Sequence, residues 1–173
     1  MTIAATELAG LEDARRQFVD AIDAVPTEAL TFLAAGDDYA LGGLVTHVNA
    51  VLRRYGRVLD AVVADRTSVF DSVPVEADMA IENARSTDGL TAADRGAAMA
   101  TLANLHAKVT ATLAGIDDAE WGLKTPVLYG GSDEPYPTGA AEITGWLTGH
   151  YLEHVPHVAE LFAAWTATQP AAP

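Results

Sequence analysis

Apolar residues return at three- and four-residue steps in four stretches of the chain, the spacing that gathers side chains on one face of an α-helix. In the first stretch Leu8, Leu11, Phe18, Ile22 and Val25 form such a face around Arg15 and Arg16, which predicts a helix from about Thr6 to Ala24. Pro26 breaks it, and "PTEALTFLAAG" adds a short turn of helix before Gly36. In the second, Leu44, His47, Val51, Tyr55, Val58 and Val62 lie on adjoining positions. Asp37 or Asp38 is placed to cap this helix, because a carboxylate there accepts the free amide hydrogens of the first turn. His47 therefore faces inward.

The pattern weakens between Asp65 and Gly89, where Pro74 and several turn formers predict a long crossover with one short helix near Glu76 to Ala84. Thr91 and Asp94 form a capping-box variant that opens a third long helix with the stripe Met99, Leu102, His106, Val109 and Leu113, ending near Gly115. Gly, Pro, acids and aromatics crowd the next segment, "DDAEWGLKTPVLYGGSDEPYPT", which is longer than most bundle connections and is expected to cover one end of the bundle. Thr138 is placed to cap a fourth helix whose inward stripe is Ile143, Leu147, His150, His154, His157, Leu161 and Trp165. The tail "TATQPAAP" is expected to fray. Together these elements predict an all-α fold, a single four-helix-bundle domain over residues 1–173 with long connections after helices two and three.

Charge narrows what such a bundle meets. Twenty-four acidic against ten basic residues leave a formal charge of -14, which repels nucleic acid phosphates and anionic lipid. No apolar run approaches the roughly 20 residues that span a bilayer, and "MTIAATELAGLEDARR" lacks the basic start and apolar core of a signal peptide, so a cytoplasmic protein with no membrane partner is expected. With no cysteine, disulfides, thiolate metal sites and a cysteine nucleophile are excluded. Any metal must be held by His, Asp, Glu or water.

The stretch "TGHYLEHVPH" supplies that chemistry, with three of the five histidines in one helix. Side chains turn about 100° per residue, so His150 and His154 lie one turn apart and His157 falls between them in angle. An i, i+4 pair of imidazoles can hold a zinc-like ion at about 2.0 to 2.1 Å per nitrogen, and His47 on the buried stripe of helix two is the natural third ligand. Such a site leaves positions for water or substrate. The alternative is a set of core imidazoles, each bonded to a carboxylate or carbonyl. Every buried imidazole left without a partner costs about 1 to 3 kcal/mol, so three on one apolar stripe favour the metal.

Two stretches carry a family resemblance. "DYALGGLVTHV", Asp38 to Val48, resembles the start of helix two in DinB-like proteins, where an aromatic, small residues and two apolar positions precede a metal-binding histidine. "HYLEHVPHVAEL", His150 to Leu161, is similar to the paired-histidine final helix of the same superfamily. The resemblance implies a four-helix bundle that binds zinc, nickel or a similar divalent ion through three ligands. It also implies kinship with thiol-dependent isomerases and transferases that use mycothiol, bacillithiol or glutathione. Carried over, His47 matches the helix-two ligand and His150 with His154 the H-x-x-x-H pair. If "HVAEL" is instead set on the family's usual ending, Glu153 and His157 replace that pair, as in the maleylpyruvate isomerase branch. His150 and His154 sit nearer the centre of the stripe and are preferred.

The surroundings of these residues raise further expectations. Pro156 removes the amide that would bond the Leu152 carbonyl, so a kink is expected. Gly145 and Gly149 weaken the helix, and a close approach of helix two at Gly42 and Gly43 would explain them. Arg54 lies seven residues beyond His47 on nearly the same face; it offers a bidentate fork to a substrate carboxylate, or pairs with surface acids. Glu153 is a base, an acceptor for the ring N–H of a metal-binding histidine, or plain surface charge. Trp121, Tyr129, Tyr136 and Trp146 line a pocket mouth or simply pack. The expected activity is a divalent-metal-dependent reaction on a small molecule, a thiol-dependent transfer or isomerisation ahead of metal-dependent hydrolysis or a non-catalytic metal-binding bundle. A homodimer is common among such bundles.

Overall fold

The computed structural model describes residues 2–170. Four long helices build the bundle: α1 (Ile3–Asp23), α2 (Gly43–Ala64), α4 (Ala92–Ala114) and α5 (Ala140–Ala167). The crossover carries a fifth, shorter helix, α3 (Val73–Asn83), and a small three-stranded sheet closes one end. Leu11, Phe18 and Ile22 of α1 meet Leu44, Val48, Leu52 and Leu59 of α2, Leu102 and Leu113 of α4, and Ile143, Leu147 and Leu161 of α5 in one core. Each of these large side chains is essentially out of water, contributing about 1.5 to 3 kcal/mol apiece. Among the described residues, no helix is long and apolar enough to cross a membrane.

Caps fix the starts of α1 and α4, that of α4 at Thr91 as the pattern puts it and that of α1 three residues earlier than the expected Thr6. The Thr2 side chain accepts from the Ala5 amide at 3.2 Å, and the Thr91 hydroxyl accepts from the Asp94 amide at 3.3 Å. Helix α2 begins later than expected, and neither Asp37 nor Asp38 caps it. The Asp37 carboxylate accepts from the Tyr39 amide at 3.1 Å instead, and the chain between folds back on itself through Leu41 N to Phe32 O (2.8 Å) and Gly42 N to Leu30 O (2.8 Å). That loop docks so closely that a side chain at Gly43 would collide with the Ser86 carbonyl, and one at Gly42 would lie 2.7 Å from the Leu30 oxygen. Glycine is needed there for closeness to the end of the crossover. Gly145 and Gly149, by contrast, have nothing within 4 Å of where a Cβ would stand, so the expected approach of α2 at those positions does not occur.

The segment after α4 is not a plain loop. Strand β2 (Lys124–Leu128) pairs antiparallel with β3 (Tyr136–Gly139), and the two-residue β1 (Phe70–Asp71) adds in parallel to β2. Thr138 belongs to β3, its hydroxyl 3.0 Å from that of Tyr129, and does not cap α5. The cap is Gly139, whose amide donates to the Glu142 carboxylate at 3.1 Å. Helix α5 then runs for 28 residues, continuing through Pro156 without a break. Of the tail expected to fray, Thr166 and Ala167 are still helical, and residues 171–173 lie outside the described residues.

Candidate metal centre

Where α2 and α5 cross, His47, His150 and His154 meet. One nitrogen from each lies within 4.8 Å of the others, and the ring centroids stand 4.8 Å (His47 to His150), 5.1 Å (His47 to His154) and 4.5 Å (His150 to His154) apart. Nitrogens sharing one tetrahedral ion stand about 3.4 Å apart, so drawing the rings together takes a movement on the order of 1 Å.

The hydrogen bonding of these rings separates them from ordinary core histidines. His106, buried between α1, α4 and α5, is the comparison within the same molecule. Its Nε2 lies 2.9 Å from the Glu12 carboxylate and donates to it, while its Nδ1 accepts from the Tyr151 hydroxyl at 3.2 Å. Both nitrogens of that ring are satisfied. In His154, which is 4 % exposed, both Nδ1 and Nε2 are buried with no partner among the described residues, and the same holds for Nε2 of His150. Such a cluster fits a cation, which would engage one nitrogen each of His150 and His154, since each buried polar atom left unpaired costs about 1 to 3 kcal/mol.

Electrostatics keep the lone pairs available. Burial, reinforced by the neighbouring imidazoles, pushes His154 down to about 3 and His150 down to about 4, and burial also holds His47 below its usual value. All three are neutral near pH 7. His47 is also oriented: its Nδ1 lies 2.6 Å from Asn83 Oδ1, an acceptor that fixes the proton on Nδ1 and leaves Nε2 as the free lone pair. Asn83 is held in turn by the Ser86 hydroxyl at 3.1 Å. Tyr39 packs over His47 with centroids 4.5 Å apart and meets His154 edge-on at 6.0 Å.

The remaining candidate residues lie around this cluster. His157 stands outside it: its Nε2 contacts the Asp37 carboxylate at 3.0 Å and its ring stacks beside His154 at 5.7 Å, tying α5 to the loop before α2. Glu153 is exposed and also outside the cluster, though its charge reaches His47 and Tyr39. The set of His47, Glu153 and His157 is therefore not assembled, whereas that of His47, His150 and His154 is. Arg54 takes no part in the cluster; its Nη2 donates to Glu76 at 2.9 Å. Tyr129, Tyr136 and Trp146 line a cavity beside it, while Trp121 is buried elsewhere and donates to Glu7 at 2.9 Å. Sequence reasoning missed Asn83, which lies 36 residues from His47 on a helix whose pattern is weak.

A family model described as the DinB superfamily matches residues 10–158, a span that includes all three clustered histidines. No curated protein and no solved structure matches the chain at a significant level.

Proposed function

As the chain belongs to the DinB superfamily and gathers three imidazoles whose free nitrogens face one another, we propose that it is a divalent-metal-dependent enzyme acting on a small molecule, with a low-molecular-weight thiol such as mycothiol as co-substrate in a transfer or isomerisation. The observation that carries this reading is His154, buried with neither ring nitrogen paired while His106 in the same core has both satisfied. His47 through Nε2, His150 and His154 would hold the ion, and zinc or nickel suits an all-imidazole set of this kind. Bound there, the ion supplies Lewis acidity and lowers the pKa of a thiol brought to it.

The chain's own residues do the rest. Asn83 keeps the His47 proton on Nδ1, and Tyr39 with the His157–Asp37 pair walls the cluster on the side of the loop before α2. Glu153, exposed beside His154 in sequence, is assigned as the acceptor of the thiol proton, which it passes to solvent. With no cysteine in the chain, the thiol comes from outside. The same reading places the protein in the cytoplasm, with small molecules rather than nucleic acid or membrane as partners.

Turnover assays on zinc- or nickel-loaded protein test it. Consumption of an electrophilic small molecule is expected to depend on added thiol and to fall by roughly 100-fold or more in H154A, with no hydrolysis of simple esters or amides. Hydrolysis that proceeds without thiol would replace the transferase reading with a hydrolytic one.

A further inference from the structure

About two turns along α2 and one turn along α5 from the histidine cluster, between these helices and the β2–β3 hairpin, lies a cavity of about 490 Å³. Its lining is unusual for a chain of charge -14: Tyr55, Tyr129, Tyr136 and Trp146 make the walls, and the cation among them is Arg54. The Trp146 ring is central, with centroids 5.4 Å from Tyr55, 6.1 Å from Tyr129 and 6.0 Å from Tyr136. The Arg54 guanidinium carbon sits 5.0 Å from the Tyr55 centroid and 5.5 Å from that of Tyr129. Glu76 holds it at 2.9 Å, and is itself held by the Ser72 hydroxyl (2.8 Å) and the Gly130 amide (3.0 Å). The guanidinium is thus fixed in place, while Nη2 on Glu76 is its one hydrogen bond among the described residues and its Nε is buried without a partner.

The cavity is in line with the cluster. His47 meets His150 across the α2–α5 contact, and eight residues later on α2 Tyr55 meets Trp146, four residues earlier on α5, so the helices run antiparallel there. Arg54 is about 10 Å along α2 from His47 and Trp146 about 6 Å along α5 from His150. From this geometry we infer that the cavity is the substrate pocket and that it takes a small molecule with a carboxylate at one end and a flat, unsaturated or aromatic body. The carboxylate pairs with the terminal guanidinium donors of Arg54 that Glu76 leaves unused, the body stacks on Trp146 and Tyr136, and the far end points along α5 toward His150. This deepens the metal-centre reading and rests on it only for what the far end meets. Glu134 on the rim and the overall negative charge disfavour large polyanions, which leaves a compact carboxylate as the fitting anion.

Calorimetric titration with 4-phenylbutyrate and its neutral isostere 4-phenylbutyramide tests the assignment on metal-free and zinc-loaded protein. The acid is expected to bind at least about tenfold tighter than the amide, R54M to abolish that preference, and R54K to restore only part of it because an ammonium lacks the planar fork. Tyr136 is 53 % exposed on the hairpin, so Y136A leaves the core intact and is expected to weaken both probes alike. Equal binding of acid and amide, or an acid preference that survives both R54M and R54K, overturns the proposal. H154A separates the two readings. Probe binding that persists in H154A while no form of the protein takes up metal overturns the metal centre alone. Metal uptake without any acid preference overturns the pocket alone.

Discussion

Asn83 decides which nitrogen of His47 faces the other two rings, and it does so from a helix outside the four-helix frame. Removing that acceptor frees the His47 tautomer without opening the core. Asn83→Ala is expected to weaken zinc binding by about 10- to 100-fold while leaving the helical content unchanged, measured by competition with a chelating dye. Unaltered affinity would mean that the Asn83 bond does not orient the ring. The three imidazoles themselves were legible, because helical spacing alone puts His150, His154 and His47 on buried stripes. Spacing favoured His154 over His157, about 60° away in angle, only through its place nearer the centre of the stripe. What separates them is Asp37, which engages His157 and is 120 residues away in sequence.

The same imidazoles impose a pH dependence on the metal-free protein. An unfolded histidine takes its proton near 6.5, whereas burial delays protonation of folded His150 to about 4 and of His154 to about 3. Between those values the unfolded state binds more protons, so this contribution to stability is complete above about 6.5 and is lost as pH falls. The slope is at most about 1.4 kcal/mol per pH unit for each imidazole. Urea unfolding of metal-free protein between pH 6.5 and 4 is expected to show a shallower loss in H154L than in the wild type. Parallel slopes would show that His154 titrates normally in the folded state.

At the scale of elements, the long helices follow from periodicity and capping. The small sheet did not, and prolines explain why. Pro126 and Pro137 stand opposite one another in the β2–β3 register, and a proline within a short run argues against a strand because it withholds an amide from the ladder. Here the pairing survives because Pro137 is on the edge strand β3 and Pro126, on the central strand, precedes the two residues that β1 pairs, with Lys124 to Gly139 and Val127 to Tyr136 on either side. The start of α2 was misplaced for a different reason: the two aspartates that look like caps belong to a loop held by backbone bonds to Phe32 and Leu30. The glycines give a paired test of these elements. Gly43→Ala drives a methyl group into the Ser86 carbonyl and is expected to cost about 1 to 3 kcal/mol or more, whereas Gly149→Ala, in open space within α5, is expected to stabilise by up to about 1 kcal/mol. Denaturant titrations of the two variants check both signs. Stabilisation by Gly43→Ala would contradict the close docking of α2 on the crossover.

For the whole molecule, the bundle does two things with its buried polar groups. On one side it ties α1, α4 and α5 together through Glu12, His106 and Tyr151, with every ring nitrogen of His106 paired. On the other it leaves His150 and His154 with buried nitrogens that nothing among the described residues satisfies, beside a His47 that Asn83 has already oriented. The aromatic cavity further along α2 and α5 was only hinted at in the sequence, since Tyr129 and Tyr136 reach Trp146 through the hairpin that the prolines concealed. The central claim is that the unpaired side is a metal centre. Elemental analysis of untagged protein, loaded with zinc or nickel and then freed of excess ion, tests it most directly. Roughly one equivalent is expected in the wild type and less than about a tenth in H154A at unchanged helical content. A wild type that retains less than about a tenth of an equivalent of either metal, or an H154A protein that retains as much as the wild type, would contradict it.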